Sequence, residues 1–200
     1  MIQSLAKNLG IPSLHADADA ERLCSSLSQE GLVIAVWSKD TDNYALGTPI
    51  MITEMAGIDE ENHPQVTVII LPLLRTYLEL TQSQLRDLCI MCGVDFNDGK
   101  NIPSFGPIKC YKLIKEYSTI ENIGALTGLP VENLKYERCR ELLSVNDSGF
   151  THESLELNLD LNKFKDSSFY LFNQYGLIDQ YDYFSNIIKF VPSPKFVTFT

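Results

Sequence analysis

A chain of 200 residues with 44% hydrophobic content is long enough for one hydrophobic core with a small helical appendage, which excludes a disordered chain. A formal net charge of -10 excludes general coating of nucleic acid, because such binding needs many Lys and Arg side chains to neutralise phosphates, so any phosphate contact is expected to be local. The five cysteines are odd in number and fall mostly on apolar helix faces, which fits a reducing intracellular compartment rather than a disulfide-linked secreted fold.

In chain order, Ile2, Leu5 and Leu9 repeat at helical spacing until Gly10 and Pro12 stop the pattern, predicting a short opening helix. Residues 1–12 (MIQSLAKNLGIP) are amphipathic, and no stretch approaches the roughly 18 apolar residues of a membrane span, so a soluble protein is expected. Ala20, Leu23, Cys24 and Leu27 then predict a helix over 18–30 with one buried face, stopped by Gly31. Residues 32–37 (LVIAVW) form a continuous apolar run, the pattern of a strand covered on both faces as in parallel sheets. Residues 49–53 (PIMIT) and 65–71 (QVTVIIL) are further strand candidates. Helix and strand alternate, so the first half is expected to be α/β.

The second half changes period. Thr81 and Gln84 make a capping box ahead of Leu85, Leu88, Cys89 and Cys92, an apolar stripe that ends at Gly93. A loop from Asp95 to Gly106 leads to Pro107 at a first helical position, followed by Cys110, Leu113, Ile114 and Tyr117 on one face. Ser118 and Glu121 offer another capping box, and residues 131–143 predict a further helix. Beyond residue 146 the signal weakens: 182–188 has a helical pattern and the last nine residues, with Pro192 and Pro194, look extended. No internal repeat or low-complexity segment is present.

Acidic residues fall at three separated points. Asp17, Asp19 and Glu21 crowd a helix start, where the macrodipole and capping alone favour carboxylates. Asp40 and Asp42 lie just past the apolar run, where α/β proteins bind ligands beyond the carboxyl ends of parallel strands. Asp95 follows a helix stop and suits a turn as well as a ligand. Cys89 and Cys92 share the apolar face with Leu85 and Leu88, and no second cysteine pair completes a zinc site, so they are assigned to the core. His15, His63 and His152 show no ligand spacing, and Trp37 is assigned to the core. Lys109, Lys112 and Lys115 point away from an apolar face, which suits a solvated surface. They also follow Ser104-Phe105-Gly106, a tight turn whose backbone N–H groups at a helix N-terminus suit a phosphate.

Together these stretches resemble the flap endonuclease family of structure-specific 5′ nucleases, which includes the xeroderma-pigmentosum-G type. The likeness runs from residue 1 to roughly 145. LGIPSLHADADAERLCSSL is similar to the family's internal segment with its acid-Ala-acid-Ala helix start, which places that pair on Asp19 and Glu21. VIAVWSKDTDNYALGTPIMI resembles its strand followed by Asp-x-Asp, placing the second pair on Asp40 and Asp42. QLRDLCIMCGVDFNDGKNIPSFGPIKCYKLIKEYSTIENI resembles the Cys-x-x-x-Gly-x-Asp-aromatic sequence and the helix-two-turns-helix DNA clamp that follows it, with Asp95 as the acid.

The resemblance implies an α/β fold: an incomplete, mostly parallel nuclease sheet over residues 1–80, a helix-two-turns-helix region over 81–145, and a helical or extended extension over 146–200. It implies a phosphodiester hydrolase using two magnesium ions, with manganese as an alternative: Asp40, Asp42 and Asp95 in one site, Asp19 and Glu21 in the other. Without metal such clustered carboxylates would repel one another and their pKa values would rise. Branched or flapped DNA is the implied substrate, bound through Ser104, Phe105, Gly106, Lys109, Lys112 and Lys115, and a nuclear or replication-site location follows by analogy. Family members begin with a strand, two more aspartates, a basic residue and an arch before the point where this chain starts. A complementing N-terminal half is therefore expected, and so is an exposed apolar sheet edge. Arg22 replaces a small residue, and Ser104 replaces the first Gly of the clamp turn and lacks glycine's freedom at positive φ. No glutamine-led tail ending in paired aromatics, the polymerase-clamp-binding motif, is seen. The alternative is a truncated, non-catalytic relative that binds DNA junctions or a protein partner.

Overall fold

Asp19 opens the first described helix as its sequence position predicts: with extended φ/ψ, its Oδ1 accepts the Glu21 N–H at 2.9 Å. The computed structural model describes residues 3, 6, 13–16, 19–58, 64–98, 101–145, 148–151 and 155. The chain divides into one unit of Ala16–His152 and another of Met1–His15 with Glu153–Thr200. Few residues of the second unit are described, with Gln3 and Ala6 helical. Ile2, Leu5 and Leu9 of the opening helix, the 182–188 helix, the extended last nine residues and Asp17 lie outside the described residues.

In the larger unit, α1 spans Ala20–Gln29, β1 Val36–Trp37, α2 Asp42–Leu46, β2 Ile50–Ile58, β3 Pro64–Ile70, α3 Leu71–Leu78, α4 Gln82–Cys92, α5 Pro107–Tyr117, α6 Ile120–Thr127 and α7 Tyr136–Leu142. The expected strand over 32–37 shortens to two residues. The cause is local: the N–H groups of Leu32 and Val33 both turn back to the Leu27 carbonyl, at 2.8 and 3.2 Å, satisfying the end of α1 instead of a sheet ladder.

The three strands run in the order β1-β2-β3. β1 is parallel to β2, pairing Val36 with Met51 and Trp37 with Ile52, and the Ser38 N–H extends the ladder to the Ile52 carbonyl at 3.1 Å. β2 and β3 are antiparallel, from Ile50 opposite Ile70 to Ile58 opposite Pro64. A mostly parallel sheet was expected; the correction follows from chain length, since the five residues between β2 and β3 are far fewer than the dozen or so a parallel crossover needs. A second correction concerns burial. Val36 and Met51 face inward, but the next row, Trp37, Ile52 and Val68, faces outward, with Trp37 59% exposed and Val68 46%. The run is covered on one face only among the described residues, and Trp37 is not core.

α3 has no counterpart among the predicted elements. It follows β3 directly with Pro72 in its first turn, where the missing N–H costs nothing. The core lies mainly among α4 to α7, where Ile90, Met91, Ile114, Ile120, Ile123 and Leu134 are fully buried. Burying one such side chain contributes roughly 1.5–3 kcal/mol. The capping box of α4 forms as expected, with Thr81 Oγ1 accepting from the Gln84 N–H and Gln84 Oε1 from the Thr81 N–H. The box expected at Ser118 and Glu121 does not form. Ser118 sits at φ 69°, outside the extended region a cap needs, and Thr119 caps α6 by accepting from the Asn122 N–H. The single helix expected over 131–143 is likewise broken, into a 3-10 turn at Glu132–Leu134 and α7, with Lys135 at φ 48° between them. Leu134 and Cys139 are five residues apart, so one straight helix would not bury both; the break lets it happen.

Gly124 inside α6 marks a close approach: a Cβ there would meet Val131 Cγ2 at 2.5 Å. Gly124→Ala is expected to lower stability by about 1–2 kcal/mol despite alanine's better helix propensity, because the stiff valine cannot swing away. Thermal denaturation of the variant checks this; unchanged or raised stability would show that α6 and Val131 can part.

Candidate active site

Three local structures bring the acidic residues of three separated stretches into one chain of hydrogen bonds. Asp19 and Glu21 open α1, and the Glu21 side chain accepts from Ser38 Oγ at 3.0 Å. That serine also accepts the Asp40 N–H at 3.0 Å, so it bridges the first acidic pair to the second just past β1. Asp40 Oδ1 accepts the Asp42 N–H at 2.9 Å, and Asp42 Oδ2 accepts the Asp95 N–H at 3.4 Å. Asp95 thus joins through its backbone, while the residue itself is exposed.

Asp42 stands on α2, a helix of only five residues that would not persist alone. Neighbours satisfy its otherwise orphaned carbonyls. Gln82 Nε2 donates to Tyr44 O and Ala45 O at 2.9 and 3.1 Å, Arg86 Nε to Ala45 O at 3.1 Å, and Gln29 Nε2 to Leu46 O at 2.9 Å. Gly47 ends α2 at φ 90°, and a Cβ there would press on Gln82 at 3.2 Å. Asn43, fully buried, donates to the Asp40 carbonyl and accepts from Thr48 Oγ1. Asn97, also fully buried, bonds Val94 N–H and Ile90 O and so fixes the 3-10 turn that carries Asp95. Ser38, Asn43 and Asn97 were not among the sequence candidates; their one-dimensional signal is only a short polar residue two or three positions from an Asp.

Electrostatics follows from this convergence. Asp42 is 7% exposed, and burial, with the charges of Asp40, Asp95 and Asp19, pushes its carboxyl up to about 6 despite the Asp95 N–H. Burial also raises Glu21, opposed by the Ser38 hydroxyl and reinforced by Asp40 and Asp19. Among the described residues, the charges that raise these two carboxyls are the neighbouring carboxylates. The same field reaches outward: burial first, then Glu21 and Asp19, raise the Cys24 thiol, and burial with Asp42 pushes Cys89 up to about 12.

Such a donor set, all hard oxygen and strained by its own repulsion, fits a divalent cation chemically. Among the described residues no three His, Cys, Asp or Glu side chains close on a single point that would hold an ion. Magnesium does not require that, since it commonly binds through one or two carboxylates, keeps several waters and shares substrate phosphate oxygens.

The candidate DNA-binding residues lie at the start of α5. Ser104 stands at φ 67°, the left-handed region expected to disfavour it, and Gly106 leads into Pro107 at the first turn of α5. Lys109 Nζ donates to the Ser104 carbonyl at 3.1 Å and lies 5.2 Å from the Phe105 ring centre, so it braces the turn. Lys112 is exposed. Lys115 is committed elsewhere, 2.7 Å from Glu79 Oε2, so the three lysines are not equivalent. Ser104→Gly is expected to raise stability by about 1 kcal/mol, by relieving the left-handed strain, in urea melts. A loss of stability would mean the serine side chain contributes more than the strain costs. Arg22 bonds the Ser144 carbonyl at 3.2 Å, a structural use for that departure.

The family profile described as XPG I-region matches residues 10–95, the stretch holding all five acids. The chain is 35% identical over 122 residues to flap endonuclease 1 of Mycosarcoma maydis, covering 61% of this chain and 32% of that protein. The chain is similar to the flap endonuclease/XPG family. Flap endonuclease 1 of Entamoeba dispar is 30% identical over 162 residues, covering 78% of this chain and 42% of the relative. The chain therefore spans about a third to two-fifths of the length of these curated relatives. Its fold matches flap endonuclease-1 from Methanococcus jannaschii at a TM-score of 0.63 and 21% identity, over 94% of this chain and 56% of that one. The catalytic core of Rad2 in complex with DNA substrate matches at 0.68 and 17% identity, over 94% and 66%. Human GEN1 in complex with Holliday junction DNA matches at 0.65 and 18% identity, over 93% and 50%. No helix among the described residues is long and apolar enough to cross a membrane.

Proposed function

We propose that this chain supplies the acidic side of a metal-dependent, structure-specific 5′ nuclease that hydrolyses branched or flapped DNA. The observation that carries the reading is the chain of contacts from Asp19 and Glu21 through Ser38 to Asp40, Asp42 and Asp95, in which neighbouring carboxylates raise Glu21 and Asp42. Self-repulsion of this kind is costly to a fold, and a site that attracts cations is the simplest use for it.

Magnesium, or manganese in its place, would be held by Asp40 and Asp42 beside Asp95, and by Glu21 with Asp19, and when bound it activates water and stabilises charge on phosphate oxygens. The chain's own side chains do the positioning. Ser38 keeps Glu21 turned toward Asp40, and the side chains capping α2 hold Asp42 in place. α4 and α5, with the turn Ser104-Phe105-Gly106 between them, serve as a helix-two-turns-helix clamp on the duplex. Its phosphates meet backbone N–H groups at the α5 N-terminus and the side chains of Lys109 and Lys112. Lys115 is a weaker contact while paired with Glu79. Residues 1–80, 81–145 and 146–200 correspond in this reading to nuclease segment, clamp and extension, and the site of action is the nucleus or a replication site. A complementing N-terminal nuclease segment supplies the rest of the metal site and covers the outward row Trp37, Ile52 and Val68.

A labelled 5′-flap DNA incubated with magnesium and this chain, alone and with a flap-endonuclease N-terminal segment added in trans, tests the proposal. Cleavage is expected to fall at least about 100-fold in an Asp40→Ala, Asp42→Ala variant. Equal cleavage by variant and parent sinks the catalytic reading. The second reading, a non-catalytic junction binder, is favoured by the lack of three converging side chains among the described residues. It predicts no cleavage under any condition and salt-sensitive flap binding that is lost in a Lys109→Ala, Lys112→Ala variant.

A further inference from the structure

The Lys115 ammonium is held twice by one residue, donating to Glu79 Oε2 at 2.7 Å and to the Glu79 carbonyl at 3.4 Å. Of the two side chains Glu79 is the outer one, 76% exposed against 34% for Lys115, so a ligand arriving from solvent meets the carboxylate first. The turn does not need that side chain. Glu79 ends α3 at φ 51° and ψ 46°, a conformation that glycine adopts without strain. Backbone bonds close the turn, from the Leu80 N–H to the Arg75 carbonyl at 3.0 Å and from the Glu79 N–H to the Thr76 carbonyl at 3.2 Å. Glu79 also lines an open cavity of about 400 Å³, with Arg75 and Thr76 from α3 and Thr81 and Gln84 from the start of α4. Arg75 stands one helical turn before Glu79, and its Nε is shut from solvent without a hydrogen-bond partner. Two cations therefore have one exposed carboxylate as a common neighbour, and that carboxylate is bonded to Lys115.

We propose that Arg75 and Lys115 form a phosphate-binding site, separate from the Ser104-Phe105-Gly106 turn, in which the Glu79 carboxylate is an internal stand-in that a phosphate displaces. A carboxylate 2.7 Å from an ammonium makes the same charge-assisted bond that a phosphate oxygen makes. The exchange costs little, because an exposed ion pair is weak and the released carboxylate regains its water. Arg75 brings a planar fork suited to phosphate, and Lys115 a point charge. The ligand is a phosphodiester of duplex DNA, a choice that rests on the nuclease reading; free phosphate offers the same chemistry. The arrangement favours specificity over affinity. Each phosphate that reaches Lys115 must first expel an acid, so in a chain of net charge -10 loose contacts with any duplex are suppressed, while DNA already held at the clamp turn engages the site.

The test is the anisotropy of a labelled 5′-flap DNA titrated with the full chain in chelator at several salt concentrations. Glu79→Gln should tighten binding about 5-fold and steepen the logarithmic salt dependence by about 0.9, the slope of one added phosphate contact. The gain should disappear when Lys115→Gln or Arg75→Gln is added. Glu79→Gly, free of the left-handed strain, should tighten binding likewise. Unchanged or weaker binding by both Glu79 variants overturns the proposal, and so does a gain that survives Lys115→Gln, since that reports net charge alone. A second arm needs no DNA and compares thermal melts in sodium phosphate and in sodium chloride of equal ionic strength. Phosphate should raise the midpoint of Glu79→Gln but not that of the Glu79→Gln, Lys115→Gln double variant. A chain that binds no flap yet shows this difference keeps the site and removes the DNA reading. Tighter flap binding without a phosphate effect assigns the site to the DNA backbone alone, and no effect in both arms removes the site.

Discussion

Arg140→Ala is expected to destabilise the protein by about 3–5 kcal/mol, the cost of stranding a buried charge. Arg140 Nε and Nη2 donate to the two carboxylate oxygens of Asp87 at 2.7 and 2.6 Å, a two-bond fork, while Nη1 and Nη2 bond Glu121 at 2.5 and 2.9 Å. One guanidinium therefore ties α4, α6 and α7 together, and its plane lies 5.1 Å from the Tyr136 ring centre. The Asp87 side chain is only 5% exposed, so removal of Arg140 leaves a buried carboxylate without the guanidinium that hydrogen-bonds both its oxygens. Urea denaturation with an unchanged slope and a lower midpoint is the expected result. An Asp87→Leu, Arg140→Met double variant should recover much of the loss, because no charge is then stranded. A single variant as stable as the parent would mean water reaches Asp87. Glu121 adds a pH signature. Its bond to Arg140 holds its folded pKa at about 2, below the usual carboxylate value of 4.5, so its contribution is present above pH 4.5 and disappears as pH falls toward 2. Glu121 is 46% exposed, so solvent screening keeps that contribution small.

Asp42→Asn should make the metal-free protein more stable at pH 8 by about 2 kcal/mol. Burial and three neighbouring carboxylates raise the Asp42 pKa from 3.8 to about 6 in the fold. Between those values the folded state binds the proton more tightly than the unfolded chain does, so stability falls as pH rises from 3.8 through 6, and the penalty is complete above about pH 7. Asparagine removes the charge while its amide oxygen still accepts the Asp95 N–H. The advantage should vanish near pH 4, where both forms are neutral. Magnesium should then stabilise the parent more than the variant, since only the parent offers the charge a cation binds. Thermal melts across pH 4–8, with chelator and with magnesium, give both readings. A variant less stable than the parent at pH 8 in chelator would show that the Asp42 carboxylate is not strained.

How far the sequence carries depends on the range of each interaction. Thr81 with Gln84, Pro107 at a first turn, and Asp19 ahead of α1 state their roles within four residues, because capping is chemistry between near neighbours, and the helices they begin stand where expected. The Asp40-Thr41-Asp42 stretch declared its interest through its place after an apolar run, yet nothing local announced that Asp42 would sit on a helix of its own. That helix exists because Gln29, Gln82 and Arg86, from distant parts of the chain, bond its carbonyls. α3 was missed for a related reason: the apolar run from β3 continues unbroken through Leu71, so period alone could not separate strand from helix. The capping box read at Ser118 failed because Ser118 sits at φ 69° and Thr119 takes the cap, while Glu121 bonds Arg140, nineteen residues on.

By itself the sequence determined several of the helices and strands, the three acidic stretches, and the family that their spacing resembles, because these rest on residue type and near-neighbour geometry. Only the tertiary structure decided that β2 and β3 run antiparallel, that Trp37 faces outward, and that Ser38 joins Glu21 to Asp40. It alone decided that Asp42, among five carboxylates, is the one driven up to about 6. The physical reason is common to all of these. Burial and Coulomb interaction depend on distance in space, and the residues concerned come from stretches as far apart as Asp19 and Asp95, whose approach no local pattern encodes.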